Sequence, residues 1–503
     1  MMNQKKVIVI GAGVSGLASA IRLQHLGYDV EIFEKNALAG GRMGLVEFDG
    51  FRFDLGPTIL MMPQMFKEVF EFCGRNPDDY LQMQRLDPIY KVYFADGTVH
   101  AASSELSKLV QELEAISERD AQGFLQYLGE IYKRYLIAKD HFIGRGFRKP
   151  TDLFNPKTLA KGLELKTFND AYSEISKYVQ DEKLRELLSF QTLYIGISPY
   201  NAPSLYTIIP MIELVYGVWF LKGGMRSMVT AMARLFGELG GKIHLDSPVE
   251  RIDLQGRKAT GVVVGGDHKA ADFVLSTADF PYAMKHLLPA GFRQGSHHAG
   301  RVEKYDYACS CFMQYIALDT RDFPGLDLHN LVFAEDFAGN IHDIFAGNFP
   351  ADPSIYVYAP ALFDPSLAPE GQLGLYVLTP VPNLKDGAAI DWTSEAAITE
   401  YRAKAYAKMR RITPLADFER HIIHEKIYTP LDYQADFNAV FGATFGLRPT
   451  LAQSNSFRPQ PKANRYDNLY FAGSSSHPGA GVPIVLMSAQ IAVNELLADD
   501  RSN

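Results

Sequence analysis

The apolar positions near the N-terminus fall into two patterns. Val7 to Ile10 is an unbroken apolar run, which predicts a strand covered on both faces of a parallel sheet. From Ala18 to Leu26, small and apolar residues recur at helical spacing, and Gly27 predicts the helix end. "YDVEIFEK" then returns to a strand. "GLVEF" and "FRFDL" alternate around Asp49-Gly50, a hairpin signal. Further on, "KGGMRSMVTAMARLFGELG" brings Met228, Met232, Leu235 and Phe236 to one helix face. Short alternating runs broken by Gln255-Gly256 and Gly265-Gly266 predict a meander, followed by the strand "DFVLSTA". Near the C-terminus the strand "NLYFAG" stops at Gly473, a small-residue loop follows, and Val482-Pro483 opens an apolar helix.

Residues 202–221, "APSLYTIIPMIELVYGVWFL", are almost wholly apolar. Pro203, Pro210 and Glu213 interrupt them, which predicts a buried helix or an interfacial segment. No uncharged apolar run reaches the roughly 18 residues that a bilayer span needs. "MMNQKKVIVIGAG" does not read as a signal peptide, because its apolar run is short and breaks at glycine.

Length and composition narrow the class. A chain of 503 residues exceeds one core, so two domains are expected. With 47% hydrophobic and 21% charged residues the composition is globular. A formal charge of -8 argues against a nucleic-acid partner. The three cysteines form no CxxC pair and predict a reducing, cytoplasmic setting. Cys309 and Cys311 read as two small core residues on one strand face, and no metal site is expected. Residues 66–219 and 286–459 are rich in tyrosine and phenylalanine, whereas 1–65, 220–285 and 460–503 carry the strand and glycine signals. Two interwoven domains follow, the first three-part and nucleotide-binding, the second two-part, α+β and substrate-binding.

Gly11, Gly13 and Gly16 stand at G-x-G-x-x-G spacing between the first strand and helix. Gly11 permits the tight turn, Gly13 lets backbone approach a pyrophosphate, and Gly16 lets helix and strand pack closely. The helix N-terminus then offers free N–H groups to that anion. Glu34 closes the second strand, where a carboxylate accepts both ribose hydroxyls of an adenosine. Val249 is placed beside the adenine. Gly40-Gly41-Arg42 follows, with two glycines for close approach and a guanidinium for phosphate. Lys35, beside Glu34, and Met43, beside Arg42, are counted with this site. The extension resembles the FAD-binding N-terminus of glutathione-reductase-like and amine-oxidase-like flavoproteins. The fold class is therefore α/β, a Rossmann-like FAD-binding domain with an interwoven α+β substrate domain.

A flavin ring reaching out of the nucleotide site needs a partner. "AGSSSHPGAGVP" supplies one: Gly473, Gly479 and Gly481 permit close approach, and the helix opened by Val482 and Pro483 directs N–H dipoles at the ring. His477 in this loop is either a base or a brace for the backbone. No second G-x-G-x-x-G follows a strand, so a quinone or oxygen is the expected electron acceptor rather than a docked nicotinamide.

Together, "VIGAGVSGLASAIRLQHLGYDVEIFEKN", "GGRM", "DGFRFDLGPTIL", "GVWFLKGGM", "SPVERI", "STADFP" and "NLYFAGSSSHPGAGVPIVLMSAQ" resemble the bacterial phytoene-desaturase-type carotenoid enzymes nearly end to end. "FQTLYIGISPYNAPSLYTIIPMIE" and "GATFGLRPTLAQSN" resemble the branch acting on thirty-carbon polyenes such as dehydrosqualene. Ser476 stands where the family has threonine, and both keep a hydroxyl. The resemblance implies FAD as the cofactor, attachment to the inner face of the cell membrane, and double bonds inserted next to a conjugated triene, towards a diaponeurosporene-type product. Rival readings are a related carotenoid oxidase or isomerase, an amine or porphyrinogen oxidase, a forty-carbon phytoene desaturase, and a non-redox prenyl carrier. Oligomeric state stays open.

A polyene has no carbonyl to acidify its C–H bonds. Hydride loss leaves an allylic cation that a base then deprotonates, and an aromatic tunnel suits that cation. Glu213 is the first candidate base, since burial in its apolar stretch would raise its pKa; the alternative is a solvent-facing glutamate. His477 is the second. "KRYLIAKDHFIGRGFRKP" carries Lys133, Arg134, Lys139, Arg145, Arg148 and Lys149, and reads equally as an anionic-membrane contact or as a solvated face.

Overall fold

The structure, a computed structural model, describes residues 4–148, 150–153, 156–165 and 167–501. A five-stranded parallel sheet runs in the order Leu469–Phe471, Phe273–Ser276, Lys6–Ile10, Asp29–Phe33, Lys242–His244. The apolar run at its centre is continuous because both faces are covered. Val7 and Val9 pack with the helices Val14–His25 and Val482–Asp500. Ile8 and Ile10 pack with Ile252 and Val262 of a three-stranded antiparallel meander and with Met284. The helix Val482–Asp500 is long and apolar enough to span a bilayer by length and composition alone, which the apolar-run count had not suggested. It lies instead along Val14–His25, with Leu486, Ala489, Val493 and Leu496 buried.

The second body is built on a seven-stranded sheet, in the order Ile422–Tyr428, Ser310–Leu318, Leu373–Val381, Ile355–Tyr358, His329–Val332, Tyr90–Tyr93, Val99–Ala102. All neighbours are antiparallel except His329–Val332 with Tyr90–Tyr93. Helices drawn mainly from residues 106–216 complete this body.

The hairpin Leu45–Phe48 and Phe51–Asp54 turns through Asp49 and Gly50, both at positive φ, as a type I′ turn needs. Although it follows the nucleotide-binding strands in sequence, its apolar face joins the larger core: Val46, Phe51 and Phe53 pack there. Gly374 makes room, since a Cβ at that position would lie 2.8 Å from the Phe53 ring. Directly after the hairpin, three tyrosines of the seven-stranded sheet reach across to the departing chain. The Tyr315 and Tyr376 hydroxyls donate to the carbonyls of Leu55 and Gly56 at 2.8 and 2.7 Å, and Tyr356 Oη lies 2.7 Å from Thr58 Oγ1.

Candidate active site

One cavity of about 680 Å³ runs between the two bodies. Its walls include Gly11, Gly13, Glu34, Lys35, Gly41, Arg42, Met43, Val249, Gly473, His477, Gly481, Val482 and Pro483. Two predicted residues do not line it. Gly16 lies inside the strand–helix packing, where a Cβ would sit 2.0 Å from the Gly11 carbonyl oxygen. Glu213 lies behind the wall formed by Ile212 and Tyr194.

At the nucleotide end the backbone sets the shape. A Cβ on Gly13 would meet no protein atom within 4 Å, so the space it faces is open. Helix Val14–His25 begins there with no side-chain cap, leaving its first N–H groups to the cavity. Glu34 is 6% exposed and held by the amides of Ala12 at 2.7 Å and Asn36 at 3.0 Å. Those two bonds orient its carboxylate and leave lone pairs for hydroxyl donors. Lys35 Nζ donates to the Ala435 carbonyl at 2.7 Å. Val249, with Pro248, borders the same end, and the Ser247 amide bonds the Glu34 carbonyl.

The other end is closed by the C-terminal loop, and Arg42 ties the two together. Its Nη1 donates to the Thr444 carbonyl at 2.7 Å and its Nη2 to Ser474 Oγ at 2.9 Å. The arginine read as a phosphate ligand thus also anchors the ring loop. Ser488 clamps that loop to its own helix, donating to the His477 carbonyl and accepting from the Gly473 amide. Helix Val482–Asp500 also starts without a side-chain cap, after Gly481 at φ 102°.

Sequence reasoning missed two residues here. Arg458 is 1% exposed, and its guanidinium donates to the carbonyls of Leu447, Gln453, Ser474 and Ser476, beneath the loop. Burial lowers its pKa to about 10. Asp279 lines the cavity and accepts from Ser475 Oγ; burial raises its carboxyl, against the pull of Arg42. Asp279 lies in "STADFP", quoted for the resemblance, and Arg458 just beyond "GATFGLRPTLAQSN", but a single charged residue in a loop carries no periodicity to single it out.

His477 is a brace. Its Nε2–H donates to the Arg145 carbonyl at 2.8 Å, its ring meets Phe147 edge-on, and Nδ1 has no partner. Burial holds its pKa down to about 4, so the ring is neutral.

The rest of the cavity is apolar and aromatic. Phe190, Phe333 and Phe337, each at most 3% exposed, form a ring cluster on its wall, with centroids 5.4 Å (Phe190–Phe333) and 5.1 Å (Phe333–Phe337) apart. Phe142, Ile143 and Leu165 line it on the helical side. Cys309 and Cys311 are buried, free and both on the wall; no metal-ligating group of three occurs among the described residues. Glu213 is wholly buried rather than solvent-facing, and burial raises its carboxyl to about 7.

The basic stretch is less free than its sequence suggests. Arg134 is buried in an ion pair with Glu174, and Arg148 pairs with Glu495 and Asp499 of the C-terminal helix. Lys149 lies outside the described residues. Apolar side chains are exposed nearby: Leu125, Tyr132 and Leu136 share one face of helix Glu118–Ala138, and Val215 and Phe168 are exposed as well.

These residues fit FAD. An open glycine cradle under an uncapped helix start suits a pyrophosphate, an oriented carboxylate suits a ribose, and a second uncapped helix start suits the ring. A model of the family described as flavin containing amine oxidoreductase matches residues 14–497. The chain is 47% identical over 496 residues to the 4,4'-diapophytoene desaturase (4,4'-diaponeurosporene-forming) of Staphylococcus aureus strain Newman, covering 98% of this chain and 99% of the relative. Among solved structures, an oxidoreductase from Methanosarcina mazei superposes with a TM-score of 0.64 at 17% identity, covering 97% of this chain and 100% of that one. Cyclohexylamine oxidase from Brevibacterium oxydans IH-35A superposes at 0.61 with 15% identity, covering 99% and 100%. The two structures share the fold.

Proposed function

Because the chain belongs to the flavin containing amine oxidoreductase family, we propose that it desaturates a thirty-carbon carotenoid precursor, dehydrosqualene, towards diaponeurosporene. It is an FAD-dependent oxidoreductase. The observation that carries the substrate is the cavity: the same space that the glycine cradle opens into is lined elsewhere by apolar and aromatic side chains, buried phenylalanines among them. A hydrocarbon brings no polar group of its own that these walls would have to satisfy, whereas an amine would.

When bound, the flavin supplies the acceptor for a hydride. This chain's residues do the rest. Arg42, Arg458 and Ser488 hold the C-terminal loop in one shape, so the loop that would hold the flavin keeps a fixed relation to the channel. Phenylalanine and tyrosine walls exclude water from the cation that hydride loss creates, and their π faces favour it.

The channel also suits a lipid-delivered substrate. The exposed stripe Leu125–Tyr132–Leu136, with Val215 and Phe168, lies on the helical side that supplies Phe142 and Leu165 to the wall, and supports peripheral attachment to the inner face of the cell membrane. Apolar contact carries this reading more than charge does, since Arg134 and Arg148 are paired. Electrons then leave to a membrane quinone or to oxygen.

The test is expression in a host that makes dehydrosqualene. A yellow polyene in the extract, with a flavin spectrum in the purified protein, is expected. A flavin-loaded protein that leaves dehydrosqualene unchanged refutes the reading.

A further inference from the structure

Each desaturation releases a proton inside an apolar channel, so something on the wall must receive it. Several polar groups there are already engaged. Glu34 binds the Ala12 and Asn36 amides, Asp279 binds Ser475, and Tyr376 donates to the Gly56 carbonyl. Tyr356 lies between Thr58 and His329 Nδ1, at 2.7 and 2.6 Å. Burial pushes that imidazole down to about 3, which makes it a partner that fixes Tyr356 rather than a proton store.

Tyr194 differs. It lines the channel, its hydroxyl has no hydrogen-bond partner, and Glu213 stands directly behind it. Glu213 Oε1 accepts from Gln191 Nε2 at 3.4 Å, and that amide also meets the Tyr90 hydroxyl at 3.3 Å. Glu213 Oε2 has no partner. Tyr194 is near enough to influence the carboxyl but is not aligned into a bond with it. Two buried, unpartnered oxygens, one at the wall and one behind it, need explaining.

We propose that Tyr194 takes the proton released at each step and passes its own hydroxyl proton to the carboxylate of Glu213. This rests on the desaturase reading above. In the step, the hydride has already left to the flavin. The C–H bond next to the allylic cation breaks, and its electron pair becomes the new double bond. The proton goes to Tyr194 Oη as the hydroxyl proton moves to Glu213, which ends as the neutral acid. Before transfer, the carboxylate's charge also stabilises the cation across the wall.

The surroundings suit the role. Burial raises the Glu213 carboxyl, and the polar groups of Tyr90 and Gln191, with the nearby Tyr194 hydroxyl, oppose that rise without cancelling it. Among the described residues, no cation is a cause of the Glu213 shift. Helix Glu118–Ala138, packed on the Glu213 helix, brings Tyr127, whose hydroxyl donates to the Thr207 carbonyl, and Arg134, which is paired with Glu174. Tyr206, on the turn before the Glu213 helix, meets Ser454, and Tyr356 faces Tyr194 from the sheet. Tyr194 is the catalytic residue, and Glu213 acts through it.

The experiment uses the FAD-loaded full chain with dehydrosqualene in vesicles, comparing Glu213→Gln, Glu213→Asp, Tyr194→Phe and the Gln/Phe double variant between about pH 5 and 9. The native rate should rise through an apparent pKa near 7. Glu213→Gln and Tyr194→Phe should each lose about a hundredfold, and the double variant no more than either. Glu213→Asp should recover about a tenth of the native rate and keep the pH rise, which a merely structural carboxyl would not. Among the infrared bands of buried carboxylic acids, to which Asp54 and Asp279 also contribute, one should titrate in the native protein and be absent from Glu213→Gln, with or without substrate. Native protein that makes no pigment sinks the desaturase reading itself. Native protein that makes pigment while Glu213→Gln stays within about threefold, or a Glu213 acid band that never titrates, sinks the proton route alone.

Discussion

The two ends of the cavity are made from different materials. At the nucleotide end the chain's backbone is the binding surface: Gly13 opens space, Ala12 and Asn36 amides aim a carboxylate, and a helix presents its bare N–H groups. In the rest of the cavity, aromatic and aliphatic side chains form the surface. A backbone-made site tolerates almost no change at a few positions, because a single Cβ displaces main chain. A side-chain-made site spreads its constraint over many rings, each replaceable at a moderate cost. The first kind serves a cofactor that never varies, the second a greasy substrate held without hydrogen bonds.

Substitutions at Gly16 and Gly13 separate the two roles of the glycine motif and should give the largest effects. Gly16→Val drives a side chain into the Gly11 carbonyl and should abolish both folding yield and flavin content, read by soluble expression and visible absorbance. Gly13→Ala meets no protein atom, so the melting temperature of the flavin-free protein should stay within a few degrees while flavin affinity falls at least about tenfold. If Gly13→Ala keeps its flavin, the open space there is not the cofactor's.

At the other end, Phe333→Ala should cost about 3–5 kcal/mol in denaturant unfolding and lengthen the channel. Turnover of a forty-carbon polyene relative to a thirty-carbon one should then rise about tenfold. No change in that ratio would show that Phe333 does not set the chain length.

Glu213 gives a smaller, pH-dependent effect. Its carboxyl is raised from 4.5 to about 7 in the fold, so it contributes stability fully below pH 4.5 and loses that contribution as pH rises through 7. Relative to Glu213→Gln, the native protein should therefore weaken by up to about 3 kcal/mol between about pH 4.5 and 8. Parallel stability curves for the two proteins would contradict the burial. The smallest effect is expected on the surface: Leu136→Glu should lower vesicle association about tenfold and leave flavin content intact, checked by flotation.

The same contrast decides what a reader of the sequence can see. Gly11, Gly13, Gly16 and Glu34 announce the nucleotide end because main-chain geometry demands glycine at fixed spacing. Four strands of the parallel sheet and its helices were legible from unbroken and helical apolar patterns, whereas the short edge strand Lys242–His244 was not told apart from the meander that follows it. The hairpin was legible from Asp49-Gly50, but not its allegiance to the larger core, because alternation shows that a face is apolar and not which neighbour covers it. Glu213 stood out as a charge in an apolar run, whereas Tyr194, which stands between it and the channel, was one tyrosine among many. Arg134 and Arg148 read as free charges because their partners, Glu174 and the Glu495–Asp499 pair, lie far away in sequence.

The row of hydroxyls from Tyr315, Tyr376 and Tyr356 rivets the chain between Leu55 and Thr58 to the large sheet at three places. A joint fastened this way has no slack for hinging, so this stretch of the cavity wall cannot swing aside between rounds. A symmetrical hydrocarbon that must offer first one half and then the other for oxidation has to do the travelling itself, sliding along or leaving and re-entering end for end through a passage that stays still.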